Sequence, residues 1–378
     1  VEVYKNSDMR DGFVKVAVSS PELRVADCRF NKERLVEKTK EMAAKGVKLL
    51  VFPEFSLTGY TCHDLFLQDT LLEGAVKALK EYAEETAEYP LVSVVGLPLA
   101  HRGRLYNVAA VVNGGTVCGF VPKSHIPTYG EFYEGRQFSA WNKPNSFAQL
   151  PWGQQVPIGS KFIFRSKCMK EFSFAVELCE DLWVPSPPSN EHAMAGALIL
   201  VNPSASDELT GKAAYRRELV KNQSARTLSA YLYADAGEGE STQDMVFAGH
   251  NMIVENGVLL AEAEPFAKEK DRITEIDLKR LANERRRMTT FTLYAEPKEY
   301  GYEEVWLSVG ELEETPLTRT FPKTPFVPSV KKNREERCNE ILNIQANGLA
   351  KRLKHTGCKS AVIGLSGGLD STLALLVT

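Results

Sequence analysis

The sequence predicts an α/β protein whose sheets are covered by helices, and three observations carry that prediction. Apolar runs of strand length recur along the chain, several of them continuous, as expected for strands buried on both faces. Between them lie segments whose apolar residues recur every three or four positions, the spacing of an amphipathic helix. A proline-rich stretch near residues 315–330 then separates this long region from a short one in which helix and strand signals resume.

The first strand is expected at Phe13–Val18, which alternates and then runs apolar. Asp27 can cap a helix that places Leu35, Val36, Thr39, Met42 and Ala43 on one face and stops near Gly46. Residues 47–52 form a continuous apolar run, a buried strand. Leu71, Leu72, Ala75, Leu79, Tyr82 and Ala83 then share one face of a second helix. Strands are expected at residues 91–97, 108–112 and 116–121, and a loop over 138–159, which is rich in Pro, Gly and Asn. Strand runs return at 172–178, 198–202, 232–236 and 251–254. A basic helix over 278–288 opens an extension with prolines at 297, 316, 322, 325 and 328, which forbid regular structure and mark a linker. After it, residues 333–355 read as a helix and 361–365 as a short buried strand. Three regions result: residues 9–277, 278–330 and 331–378.

Of 378 residues, 43% are hydrophobic and 25% charged, an ordinary soluble composition, and no apolar run approaches the roughly 18 residues of a membrane span. A net charge of −3 argues against nucleic acid as the main partner. The opening residues lack the charged-then-apolar pattern of a signal peptide, and Met9, followed by RDGFVKVAV, is expected to be a natural start. Seven cysteines, odd in number and without a CxxC pair, argue against a zinc ribbon and fit a reducing, cytoplasmic compartment.

Three residues stand where chemistry is expected, each just past an apolar strand. Glu54 follows Leu49, Leu50, Val51, Phe52 and Pro53, and partial burial there would raise its pKa toward that of a useful general base. Lys123 follows the strand ending near Val121, amid prolines and aromatics; an ammonium in such a setting needs a counter-charge, which Glu54 would supply. Cys179 ends the run from Phe174 and leads into Glu180, Asp181, Leu182 and Trp183, a polar turn that would present a nucleophile. Near a lysine its thiol is expected to ionise more readily than the reference value of about 8.5.

In the order Glu, Lys, Cys, the strings LLVFPEFSLTGY, PKSHIPTYGEFYEGRQF and FAVELCEDLW resemble the nitrilase superfamily of carbon–nitrogen hydrolases over roughly Phe13 to Asp277. The resemblance implies a four-layer αββα sandwich, with Glu54, Lys123 and Cys179 catalytic and no metal in this domain. Within the superfamily, ELCEDLW and NPSAS are similar to the glutaminase domain of glutamine-dependent NAD synthetases. By that match Tyr129, Ser206 and Lys212 would hold glutamine, with Glu180 near its amino group. Glu131, eight residues past Lys123, is the expected second glutamate, with Glu134 as the nearby alternative.

Past the linker, Ser366, Gly367, Gly368, Leu369, Asp370, Ser371 and Thr372 follow the short apolar run. Paired glycines let backbone N–H groups approach phosphate, and the helix N-terminus adds donors; no Gly-Lys-Ser/Thr follows, so this is not a Walker A loop. The string resembles the SGGxDS pyrophosphate loop of ATP-pyrophosphatases, which implies binding of ATP with Mg2+ by Ser366, Gly367, Gly368, Asp370 and Ser371. It also implies the beginning of a Rossmann-like adenine-nucleotide α-hydrolase domain. Such a domain needs on the order of 100 residues or more, so the rest is expected to lie outside this sequence. The same resemblance implies that glutamine-derived ammonia amidates adenylated deamido-NAD, in a homo-oligomer. A stand-alone amidase or carbamoylase is the competing reading, and it leaves SGGLDST without a role.

Overall fold

The structure, a computed structural model, describes residues 12–310, 317–321, 323, 326–327 and 330–378. The expected start at Met9 and the prolines at 316, 322, 325 and 328 lie outside them. Chain contacts divide it into two units, meeting between Arg319 and Thr320.

The first unit begins with β1 (Phe13–Val18), α1 (Cys28–Ala44), β2 (Leu49–Val51) and α2 (Asp69–Glu85). Asp27 caps α1 by accepting from the Phe30 N–H. Then come β3 (Val92–His101), β4 (Arg104–Asn113), β5 (Thr116–Pro122), β6 (Ser146–Gln149), β7 (Gln155–Ile158), β8 (Phe162–Ser166) and β9 (Ser173–Val176). The remainder is α3 (Pro188–Met194), β10 (Ile199–Ser204), α4 (Lys212–Arg226), β11 (Ala230–Asp235), β12 (Met252–Glu255), β13 (Val258–Glu262), β14 (Arg272–Asp277), α5 (Leu278–Arg287) and β15 (Glu303–Leu307).

Two sheets result, in the orders β14-β1-β2-β3-β4-β5-β7-β6 and β13-β12-β11-β10-β9-β8-β15. Side-chain alternation along each strand splits the apolar residues between two faces. Val14, Val16, Val18, Leu49 and Val51 meet Phe174, Val176, Ile199 and Val201 in a core between the sheets. Ala17 and Leu50 face the other way, onto Leu35, Met42, Leu79 and Tyr82 of α1 and α2. Leu200, Tyr231 and Tyr233 of the second sheet pack with Val220 of α4. Three apolar interfaces make four layers, the αββα sandwich. Double coverage explains why the strands read as continuous apolar runs.

Three departures from the sequence reading have physical causes. The loop over residues 138–159 contains the hairpin β6–β7 at the end of the first sheet, where β6 is the edge strand and β7, which carries Pro157, pairs with β5 only at Phe120 and Ile158. The extension from residue 278 is packed into the first unit: Leu278 and Leu281 of α5 enter the core between the sheets, and β15 pairs with β8 in parallel. Its lone strand has a partner far back in the chain, which local pattern does not reveal. In the second unit, α6 (Lys331–Thr356) and α7 (Leu369–Val377) form, but residues 361–365 make no strand. Val362 is 98% exposed, and no described strand lies alongside to pair with the run. No described helix is long and apolar enough to cross a membrane.

Candidate active site

Glu54, Lys123 and Cys179 meet at the C-terminal ends of β2, β5 and β9. The loop that carries Glu54 lies against β3 because position 96 is glycine. A Cβ there would collide with the Phe55 nitrogen and stand 2.8 Å from the Pro53 oxygen. The Glu54 N–H reaches across to the Ser204 carbonyl at 3.3 Å, tying the first sheet to the second. Glu54 and Lys123 are wholly buried, and Cys179 nearly so.

Lys123 Nζ donates to Glu54 Oε1 at 2.8 Å and to Glu134 Oε1 at 2.6 Å. Asn107 of β4 donates to both carboxylates, at 2.5 Å to Glu54 and 3.4 Å to Glu134, and the Tyr60 hydroxyl donates to Glu134 at 2.9 Å. The second glutamate is therefore Glu134, not Glu131. Glu134 sits in a 3-10 turn, Glu134–Arg136, that aims it inward, while Glu131 is only half-buried and pairs with neither Lys123 nor Asn107. Burial alone would push Lys123 down, but Glu134 and Glu54 hold it well above the usual lysine range. Burial pushes the Glu134 carboxyl up to about 7, against the pull of Lys123.

Cys179 opens the 3-10 turn Cys179–Leu182 with φ +40°, in the left-handed region that favours glycine. Its N–H is held by Asn202 Oδ1 at 2.8 Å. Asp181 accepts from the N–H groups of Leu178 at 3.1 Å and His125 at 2.9 Å, clamping the loop after Lys123 to this turn. The expectation of a readily ionised thiol is not met. Burial pushes the Cys179 thiol up and Glu54 adds to it, while Lys123 and a hydrogen bond with Ser204 pull the other way and lose. Burial, with the Glu54 charge added to it, outweighs the ammonium, so the resting form is the neutral thiol. Glu54 Oε2 is buried and has no hydrogen-bond partner among the described residues, which leaves it open as an acceptor.

Above this cluster, Tyr129 donates to Glu180 Oε1 at 2.8 Å, and its ring stands 6.0 Å from that of Phe132. The Lys212 ammonium pairs with Asp207 and lies 5.4 Å over Phe132 and 5.6 Å over Trp183. Ser206 is buried below; its N–H donates to Asp235 and its hydroxyl accepts from Arg216 at 3.1 Å. Burial raises Glu180 above the usual carboxylate range, against the pull of its bond to Tyr129 and of Lys123.

The carbon–nitrogen hydrolase family profile matches residues 15–286, which take in strands of both sheets, all but β15, and every residue of this cluster. The chain belongs to the carbon–nitrogen hydrolase family. It is 40% identical over 380 residues to a glutamine-dependent NAD(+) synthetase of Mycobacterium bovis, an alignment covering 98% of this chain and 55% of that one. With the corresponding synthetase of Mycobacterium leprae it shares 39% identity, over 97% of this chain and 54% of the relative. The chain thus spans about half the length of the curated relatives it matches. Among solved structures, a glutamine-dependent NAD(+) synthetase from Cytophaga hutchinsonii superposes with a TM-score of 0.62 at 27% identity, over 70% of this chain and 42% of that one.

For a carbon–nitrogen hydrolase, several site residues gave no usable sequence signal. Asn107 is a lone polar residue within the apolar strand β4, and that oddity could have marked it. Tyr60 and Asn202 lie in the strings LLVFPEFSLTGY and NPSAS that carry the resemblance, but nothing set either apart from its neighbours. Arg216 is wholly buried, bonded to Glu208 at 2.9 Å and to the Asp207 carbonyl at 3.0 Å, so it braces the Ser206–Asp207 segment from beneath.

In the second unit, Gly367 takes φ +82° and Gly368 precedes α7. Ser366 Oγ and Ser371 Oγ lie 3.3 Å apart, and Asp370 stands in the first turn of α7. Glycines at a helix N-terminus with hydroxyls beside them suit a phosphate, because unpaired N–H groups and the helix dipole both favour an anion.

Proposed function

We propose that residues 12–319 form the glutaminase of a glutamine-dependent NAD synthetase. The observation that carries this is the buried Lys123, shared by Glu54 and Glu134 beneath Cys179, in a chain so similar to synthetases of that kind. Glutamine enters past Tyr129 and Lys212, with Glu180 near its amino group and Ser206 and Lys212 holding the remainder. Glu54 takes the Cys179 proton as the sulfur attacks the side-chain amide carbon. Lys123 and the Glu180 N–H stabilise the oxyanion, since the Cys179 N–H is already committed to Asn202. Protonated Glu54 gives its proton to the departing nitrogen, so ammonia leaves and a thioester remains. Glu54 then takes a proton from water, which attacks the thioester, and returns it to the departing Cys179 sulfur as glutamate is released. A neutral resting thiol fits this scheme, because proton transfer to Glu54 is part of the attack.

In a protein of the relatives' full length, the ammonia would displace AMP from adenylated deamido-NAD. Ser366, Gly367, Gly368, Asp370 and Ser371 would hold the pyrophosphate of ATP, with Mg2+ screening its charge. A reducing, cytoplasmic setting and a homo-oligomeric assembly belong to the same proposal. The test is glutamate release from glutamine by this chain. Turnover that disappears in Cys179→Ala supports the reading. Hydrolysis of simple amides with glutamine untouched would favour a stand-alone amidase instead.

A further inference from the structure

The proposed chemistry leaves one buried acid without a role. Glu177 lies two residues before Cys179 and is 1% exposed. Its carboxylate accepts from the Tyr231 hydroxyl at 2.6 Å and from the Ser189 N–H at 2.8 Å. The Tyr231 oxygen accepts from Asn202 Nδ2 at 3.0 Å, and Asn202 Oδ1 accepts from the Cys179 N–H at 2.8 Å. Since β9, β10 and β11 are neighbours in the second sheet, a continuous chain of hydrogen bonds runs from Glu177 to the backbone of Cys179.

Each link fixes the next. While Glu177 accepts, Tyr231 points its proton toward the acid and keeps lone pairs for the Asn202 amide N–H2. That orients the amide, so its oxygen faces Cys179. The left-handed backbone of Cys179, which is strained for a non-glycine residue, persists only if its surroundings over-determine it. A buried carboxylate without a cation is expensive, and among the described residues Glu177 has no ion-pair partner.

We propose that Glu177 is a positioning residue for the hydrolysis: through Tyr231 and Asn202 it fixes the turn that presents the Cys179 sulfur to Glu54 and Lys123. This rests on the glutaminase reading above. Burial pushes Glu177 up to about 7, with Asp181 on the same turn adding to it and the bonds from Tyr231 and Ser189 opposing. Around it, His192 of α3 is pushed down to about 4 by burial and is neutral. Tyr302 stands against that histidine at 2.8 Å, and Gln223 of α4 donates to Ser189 Oγ. Protonation of Glu177 therefore places a donor where Tyr231 or the Ser189 N–H already donates, and the link loosens as pH falls through neutrality.

The test compares the wild-type chain with Glu177→Gln, Tyr231→Phe and the double variant, measuring glutamine turnover per active site titrated by alkylation. Each single variant is expected to lose about tenfold in kcat with KM little changed, the scale of a small misplacement of a reacting group. The double variant should be no slower than the slower single one. The ratio of wild type to Glu177→Gln should shrink toward one below pH 6, because the protonated acid resembles glutamine. Glu134, which also titrates near neutrality, is common to both chains and cancels in that ratio. The thermal midpoint of Glu177→Gln at pH 8 should hold or rise, since the buried charge is gone. Unchanged kcat, a pH-independent ratio, or losses that multiply in the double variant would each overturn the proposal. If wild type leaves glutamine untouched, the glutaminase reading fails instead. The same variants are then ranked by their rate of Cys179 alkylation, where the same order supports the positioning role and equal rates refute it.

Discussion

Replacing Glu54 by glutamine tests the proposed base most directly. The substitution keeps the size of the side chain and an acceptor for Lys123 Nζ at 2.8 Å and for Asn107. It removes the charge from Oε2, the buried oxygen that has no described partner. Removing one partner of a buried ion pair costs about 3–5 kcal/mol when the other charge is stranded. Here Glu134 still faces Lys123 at 2.6 Å, so a smaller loss is expected, about 1.5–3 kcal/mol, the worth of a hydrogen bond to a charged group. Glutamine hydrolysis should fall by about a hundredfold or more, the usual contribution of a general base. KM should change little, because Glu54 lies beneath the residues at the mouth. Glutamate release, with folding checked by thermal melting, reads both effects.

The same substitution makes a signed prediction about the thiol. Burial pushes Cys179 up and the Glu54 charge adds to it. With that charge removed, the apparent pKa of alkylation at Cys179 should move down even as turnover collapses. A folded Glu54→Gln chain that hydrolyses glutamine at the wild-type rate would refute the base assignment.

Two further substitutions separate neighbouring explanations. Glu134→Gln should slow hydrolysis by about tenfold or more by freeing Lys123 to shift, whereas Glu131→Gln should leave glutamate release unchanged. Because burial holds Glu134 near 7, above the ordinary 4.5, the stability this group contributes is lost as pH rises from 4.5 to about 7, and Glu134→Gln should flatten that part of the melting profile. Gly96→Ala would press a methyl group into the backbone of Pro53 and Phe55. A loss of about 1–3 kcal/mol is expected from overpacking, with hydrolysis falling further than stability alone explains, because the displaced segment carries Glu54; wild-type melting and turnover would argue against that contact.

What could be read in the sequence follows from what a local pattern can hold. Glu54, Lys123 and Cys179 were legible because each follows an apolar run, and a strand buried on both faces announces its own end. Glu134 was only an alternative because its turn has no period, and its inward aim depends on Tyr60 and Asn107, from distant parts of the chain. β15 went unread for the same reason, since it completes a sheet by pairing with a strand 141 positions earlier, Glu303 with Phe162 and Glu304 with Ile163. The ionisation of Cys179 came out reversed for a different cause. Sequence placed a lysine near the thiol, but it did not show how completely the fold would bury the sulfur, and burial opposes a thiolate. Burial pushes the thiol up and the Glu54 charge adds to it, while the ammonium that would oppose them is shared with two carboxylates, so the sulfur keeps its proton. That balance suits a nucleophile whose proton must be handed on to a leaving nitrogen: a thiolate formed in advance would leave Glu54 with nothing to deliver.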